Sequence, residues 1–129
     1  MNPNDHEAPL LPLYTLGNVL QLLPHDVEKS RNENMELFQT LNKTDSTTIE
    51  RIISTGQFTP SDDWYDQDRD EFVVLLQGEA SLLIEEQDTT FQEVHLGKGD
   101  FINLPKHVRH RVTKTSQEPP CIWLAFHYQ

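Results

Sequence analysis

The chain has 129 residues and carries 10 Lys and Arg side chains against 21 Asp and Glu, which gives a formal net charge of −11 at pH 7. This length suits one domain and is enough to bury a core without disulfides. The acidic balance argues against a nucleic-acid or anionic-membrane surface, because such surfaces need clustered Lys and Arg. The single cysteine, Cys121, excludes an intrachain disulfide and a zinc site built from several cysteines.

Membrane and export signals are not visible in the sequence. No apolar run approaches the roughly 20 residues that a membrane-spanning helix needs, and no basic-then-apolar leader opens the chain. We therefore expect a cytoplasmic protein that partners neither membrane nor nucleic acid.

The N-terminal third differs in pattern from the rest. Residues 1–15 are predicted to be a flexible tail, and residues 16–46 an extension that contains a short helix. Ser30 with Glu33 three residues later is a capping-box pattern, and apolar residues then recur at helical spacing. This pattern predicts a helix from about Arg31 to Leu41.

From residue 47 onwards the pattern predicts one strand after another, up to residue 129. Gly78-Glu79 is typical of a hairpin turn, and Gly97 to Asp100 is a second cluster of turn residues. Six or seven short strands at spacings of about 8–12 residues, with no helical pattern between them, predict an all-β sandwich or barrel. The apolar segments are 47–54, 72–76, 80–84, 91–96, 101–104, 108–113 and 121–128.

Strand alternation assigns faces to the side chains. His110 shares a face with Val108 and Val112, whereas Arg109 and Arg111 point to the other side. A histidine on the apolar face of a barrel needs a partner, because an unsatisfied buried polar group costs about 1–3 kcal/mol.

Two strands, at 72–76 and 122–128, are apolar on both faces. Such a strand is expected to be covered on both sides, either by the N-terminal segment or by a second subunit. We therefore expect a homodimer.

Two spaced motifs resemble those of the cupin superfamily. Glu71 is followed by six residues and Gly78, as at the end of the first cupin motif. Gly99 is followed by five residues and Pro105, and His110 stands where the histidine of the second motif belongs. The chain is thus similar to small single-domain bacterial cupins of the cupin_2-like type. The resemblance implies a cupin jelly-roll β-barrel, here with a short N-terminal helical extension.

In metal-containing cupins, the glutamate and histidines of the first motif and the histidine of the second hold the metal. The resemblance therefore implies Glu71 and His110 as ligands. The two first-motif histidine positions fall between Trp64 and Gln67, where neither possible register supplies a histidine. Lys114 also replaces the asparagine of the second motif.

Asp66 and Gln67, alone or together, are candidates for the missing ligands. A site formed by Asp66, Gln67, Glu71 and His110 is rich in oxygen and has one imidazole. Such a donor set suits Mn, Fe(II), Zn or Mg better than copper, and Ni also stays open. The alternative is that Glu71 simply hydrogen-bonds His110 inside a barrel without metal.

Four further residues are candidates for ligand binding around this site. Trp64 and Tyr65 either line the mouth of the barrel or pack in place of the missing histidines. His107 replaces the glycine of the second motif in a rim loop, where a plain surface histidine is the alternative. His127 shares a strand face with Trp123, and the pattern leaves open which face points inward.

Two functions follow from the resemblance, because one fold can host both. The first is an atypical metal-dependent enzyme acting on a small molecule, of the dioxygenase, isomerase or lyase type. The second is a non-catalytic cupin that binds or senses a small molecule without metal. The absence of first-motif histidines favours the second function or an unusual form of the first.

Overall fold

The computed structural model describes residues 13–129, in which one helix precedes eight strands. The all-β class and the strands predicted from residue 47 onwards are confirmed. Residues 1–12, most of the predicted tail, lie outside the described residues. The elements are α1 (Pro24–Glu33), β1 (Leu37–Lys43), β2 (Thr47–Ser54), β3 (Asp70–Gln77), β4 (Ala80–Glu85), β5 (Phe91–Leu96), β6 (Phe101–Leu104), β7 (His110–Thr115) and β8 (Cys121–Tyr128).

The strands form two antiparallel sheets, the larger in the order β1-β2-β8-β3-β6 and the smaller in the order β5-β4-β7. Strands β3 and β4 follow each other in the chain but belong to different sheets. The turn at Gly78 is therefore confirmed, but the predicted hairpin is wrong, because the chain crosses there from one sheet to the other. Gly78 has a φ of +90°, which glycine adopts at little steric cost.

The N-terminal helix lies earlier than the sequence pattern predicts. Pro24 begins α1 and Asn34 ends it in the left-handed conformation, with a φ of +49°. The predicted helix over about 31–41 is wrong, because residues 37–43 pair with β2 as a strand instead. Ser30 is buried inside α1 rather than capping it, and its hydroxyl donates to the carbonyl of Met35 at 2.7 Å.

Arg51 on β2 fastens the segment before α1 to the larger sheet. Its guanidinium donates to the carbonyl oxygens of Val19 at 3.2 Å and Gln21 at 2.5 Å, and to Oε1 of Gln39 at 2.7 Å. These acceptors compensate the burial of the Arg51 charge. The segment before α1 is thereby held against β2.

The core lies between the two sheets. Alternation along β3 puts Glu71 on the same buried side as Val73 and Leu75, so a carboxylate enters the apolar interior. No helix in the described part of the chain is long and apolar enough to cross a membrane. The buried apolar cluster consists of Val73, Leu75, Ala80, Leu82, Leu96, Cys121, Trp123 and Ala125.

Candidate functional site

A cavity of about 80 Å³ lies between the two sheets. Its apolar walls include Val73 and Trp123 from the larger sheet and Leu82 and Val112 from the smaller one. No Lys or Arg of residues 13–129 lines it, so its charge is acidic. Its polar lining consists of three carboxylates, two imidazoles, a phenol and an amide: Glu36, Glu50, Glu71, His110, His127, Tyr65 and Gln67.

The carboxylate of Glu71 lies between two imidazoles. Its Oε1 is 3.7 Å from Nε2 of His110, and its Oε2 is 4.0 Å from Nε2 of His127. Glu71 and His127 are direct partners in the pairing of β3 with β8, whereas His110 begins β7 in the opposite sheet. Burial raises the pKa of Glu71, and the two histidines oppose that shift.

The backbone fixes the orientation of His110. Its Nδ1 lies 2.9 Å from the carbonyl oxygen of Val108, which can only accept, so Nδ1 carries the proton and Nε2 of the neutral ring has a free lone pair. The backbone of His110 exchanges two hydrogen bonds with Tyr65, at 2.8 and 3.1 Å. The ring of Tyr65 stacks on the imidazole with centroids 5.5 Å apart. Nε2 is thereby directed towards Glu71.

Two cavity carboxylates were not predicted from the sequence. Glu50 accepts a hydrogen bond from Nε2 of His127 at 3.0 Å. Glu36 accepts one from the hydroxyl of Ser54, which itself accepts a hydrogen bond from Nε1 of Trp123 at 3.0 Å. The signal for Glu50 is a carboxylate on the same strand face as Ile52, whereas Glu36 lies between α1 and β1, where no pattern indicates its direction.

Burial raises the pKa of Glu36, and the hydrogen bond from Ser54 opposes that shift. Because the folded-state pKa lies above that of the unfolded chain, the stability contributed by protonated Glu36 is complete at low pH. It is lost as the pH rises through the raised pKa. A cation beside the ionised carboxylate would offset this loss.

Tyr65 and Gln67 supply neutral polar groups to the cavity. Burial, followed by the charges of the three cavity glutamates, raises the pKa of Tyr65, so its phenol stays protonated. Oε1 of Gln67 is buried and accepts no hydrogen bond from residues 13–129. An unpaired buried acceptor is costly, which indicates that a further group belongs in this cavity.

Asp66 and His107 lie at the rim instead of in the cavity. Oδ1 of Asp66 is 2.8 Å from Nδ1 of His107, and both side chains are at least half exposed. The structure therefore does not bring Asp66 together with Gln67, Glu71 and His110, which all line the cavity. His107 has a φ of +66°, the left-handed conformation that explains a glycine at this position of the motif.

Of the four predicted ligand-binding residues, Tyr65 and His127 line the cavity, whereas His107 and Trp64 do not. The ring of Trp64 stacks on Phe91 with centroids 5.4 Å apart. The guanidinium groups of the two outward-facing arginines, 109 and 111, lie 5.0 and 5.6 Å from its centroid. Trp64 therefore packs on the outer face of the smaller sheet, outside the cavity, where it also lines a surface groove together with Tyr65.

The sequence model of the cupin domain matches residues 52–127. The chain belongs to the cupin family. Its two sheets are thus a cupin jelly-roll barrel with a short N-terminal helix, as the motifs predict. A comparison with curated proteins gives no significant match.

Among solved structures, this cupin is similar to a Ralstonia eutropha JMP134 protein named "putative mannose-6-phosphate isomerase". The two share 34% identity and a TM-score of 0.72 over 90% of this chain and 99% of that one. A cupin superfamily protein from Desulfitobacterium hafniense DCB-2 shares 20% identity and a TM-score of 0.60, over 74% of this chain and 78% of that one. Hydroxypropylphosphonic acid epoxidase from S. wedmorenis shares 19% identity and a TM-score of 0.60, over 74% of this chain and 52% of that one. The last two likenesses show the fold alone.

A divalent metal ion is the group that the cupin motifs imply for this cavity. Within the described residues, no three His, Cys, Asp or Glu side chains already form a metal-binding cluster. The donor chemistry nevertheless fits a borderline or hard cation. His110 has a free Nε2 directed at Glu71, and the buried oxygen of Gln67 has no partner.

Proposed function

We propose that this cupin binds a divalent metal ion and a small molecule in its barrel cavity. Glu71, His110 and Gln67 are the proposed metal ligands, and His127 is a neighbouring hydrogen-bonding group. The supporting observation is the carboxylate of Glu71, buried 3.7 and 4.0 Å from the two imidazole nitrogens. A buried carboxylate is costly unless a cation or several donors compensate it. Asp66 is left out of the proposal, because its carboxylate pairs with His107 at the rim.

A bound divalent ion supplies a Lewis acid for an oxygen of the small molecule. The protonated phenol of Tyr65 donates a hydrogen bond to the small molecule, and the apolar walls of the cavity exclude water. Mn, Fe, Zn and Ni are the proposed ions, and the dioxygenase, isomerase and lyase types stay predictions.

A sugar phosphate, which the name of the Ralstonia protein would suggest, does not suit this cavity. Its lining contains three carboxylates and no Lys or Arg, so a phosphate would be repelled. Its volume of about 80 Å³ is also well below the roughly 300 Å³ of ordinary ligand pockets. We therefore propose a small ligand without a phosphate group.

The melting temperature of the metal-free, full-length protein tests the metal site. An ion at 100 times its Kd stabilises a protein by about 2.7 kcal/mol. For a domain of this size we expect Mn²⁺, Fe²⁺, Zn²⁺ or Ni²⁺ to raise the melting temperature by about 10 °C. No shift with any of these ions at millimolar concentration would exclude the site.

The second candidate is a cupin that binds its small molecule without metal. It is favoured by the hydrogen bond at 3.0 Å between His127 and Glu50, which gives this imidazole a partner in the absence of an ion. In this case Glu71 and His110 bind the ligand as hydrogen-bonding groups. The thermal titration separates the two candidates, because only the first responds to divalent cations.

We also propose that two copies associate through the outer face of the larger sheet. Phe72 stacks with Phe101 at 5.1 Å and contacts Phe126 at 6.0 Å, and Phe101 is 63% exposed. Exposed aromatic patches of this kind are typical of interfaces. Light scattering at micromolar concentration is expected to give twice the chain mass of 15.0 kDa, and a monomer would contradict the dimer. The cytoplasmic location stays a prediction.

A further inference from the structure

A surface groove of about 480 Å³ adjoins the barrel cavity. Three residues line both spaces: Glu36, Phe38 and Tyr65. We call these three residues the portal, because a molecule in the groove reaches the cavity between them. The groove and the cavity therefore meet at these three side chains.

The groove presents apolar side chains to solvent. Met35, Phe38 and Phe58 line it and are 58%, 56% and 64% exposed. Apolar side chains that line a concave surface together favour the binding of an apolar group there. Since the cavity alone is small, the larger part of a ligand lies in the groove.

The portal contains one carboxylate, that of Glu36, and no basic side chain of residues 13–129 pairs with it. The carboxylate of Glu36 has a hydrogen bond from Ser54, and no Lys, Arg or His of residues 13–129 forms an ion pair with it. No Lys or Arg within the described range lines the groove or the cavity, whereas both contain further carboxylates. The two aromatic residues of the portal also favour a cation, because an aromatic face attracts positive charge.

We infer that the small molecule contains a primary alkylamine part, with the ammonium group at Glu36 and the hydrocarbon chain across Met35 and Phe58. The inference rests on the proposed function, because it names the ligand class of the same site. It depends on Glu36, which contacts none of the residues proposed to hold the metal. An anionic ligand would face carboxylates with no basic side chain beside them, and a neutral one would leave the Glu36 carboxylate without a cationic partner.

Calorimetric titration of the full chain with butylamine, butanol and butyrate tests the ammonium group. Butylamine is expected to bind at least tenfold more tightly than the other two. Glu36→Gln keeps an acceptor for Ser54 but has no charge, so it is expected to bind butylamine and butanol equally. Equal binding of the two by the wild type, or an unchanged amine preference in Glu36→Gln, would overturn the inference.

A series from propylamine to hexylamine tests the groove. The Kd is expected to fall about threefold to fourfold for each added methylene, the value for burial of one CH₂ group. Phe58→Ala is expected to flatten this series, whereas Leu41→Ala is not. Leu41 is the control, because it is also an exposed apolar residue, at 44%, and lies on β1 outside the groove. A series that stays equally steep in Phe58→Ala would contradict the proposed position of the chain.

The failures of the two proposals are distinguishable when each titration is repeated with metal-free and Mn²⁺-loaded protein. Metal uptake without a preference for amines excludes only the alkylamine. Amine binding without metal uptake excludes only the metal site. Phe58 is exposed, so its replacement tests the inference even if Glu36→Gln fails to fold.

Discussion

Glu71→Gln is expected to weaken the affinity for divalent ions at least about a hundredfold, since loss of groups that merely support a metal ligand already costs about 10–100-fold. The substitution preserves the shape of the side chain and removes the charge that attracts the ion. Because burial raises the pKa of Glu71, removing this charge is not expected to destabilise the metal-free protein at neutral pH. Calorimetric titration with Mn²⁺ or Zn²⁺ measures the affinity.

Asp66→Asn is the matched control for this substitution. It also replaces a carboxylate by its amide, but Asp66 is half exposed and pairs with His107 at the rim. We expect its metal affinity to stay within about twofold of the wild type, as for a surface charge outside the site. An equal loss in the two variants would contradict the site and would favour Asp66 as a ligand, as the motif position suggests.

Gly78→Ala is expected to lower the free energy of unfolding by about 2–4 kcal/mol, the sum of a strained backbone and an overpacked contact. Gly78 has a φ of +90°, and a Cβ there would lie 2.7 Å from Oγ of Ser116 and 2.9 Å from Sγ of Cys121. Ser116 cannot move freely, because its hydroxyl donates to the carbonyl of Pro119 at 2.7 Å and accepts from the amide of Glu79 at 3.1 Å. Denaturant unfolding measures the loss.

Two other glycines distinguish the cost of backbone strain from the cost of crowding around the added Cβ. Gly99 has a similar φ of +87° but no atom within 4 Å of a Cβ, so Gly99→Ala is expected to cost only about 1 kcal/mol. At Gly97 the φ is not positive and the nearest atom would lie at 3.7 Å, so no loss is expected there. Equal losses at positions 78 and 99 would show that crowding at the sheet crossing contributes nothing.

The barrel strands could be predicted because alternation and turn residues reflect burial directly. Strands β2, β5, β6 and β8 have the predicted bounds. The N-terminal extension could not be predicted in this way, because most of β1 is exposed and has no periodic pattern of burial. The apolar residues of this segment recur at helical spacing, but the segment forms a strand because it pairs with β2.

The site was only partly predictable, for a related reason. Glu71 and His110 stand at motif positions on strands, so spacing and alternation indicate both their presence and their direction. Asp66 lies in a loop, where no periodicity shows which way a side chain points. Glu36 and Glu50 enter the cavity through the pairing of β1, β2 and β8, which depends on contacts distant in sequence.

The metal content of the full chain is the most direct test of the proposed metal site at Glu71 and His110. The protein is incubated with an excess of Mn²⁺, Fe²⁺, Zn²⁺ or Ni²⁺, free ion is removed by gel filtration, and the bound metal is measured by plasma mass spectrometry. We expect about one divalent ion per wild-type chain and less than about 0.1 per Glu71→Gln chain. Less than about 0.1 ion per wild-type chain with every one of these cations would contradict the proposed site.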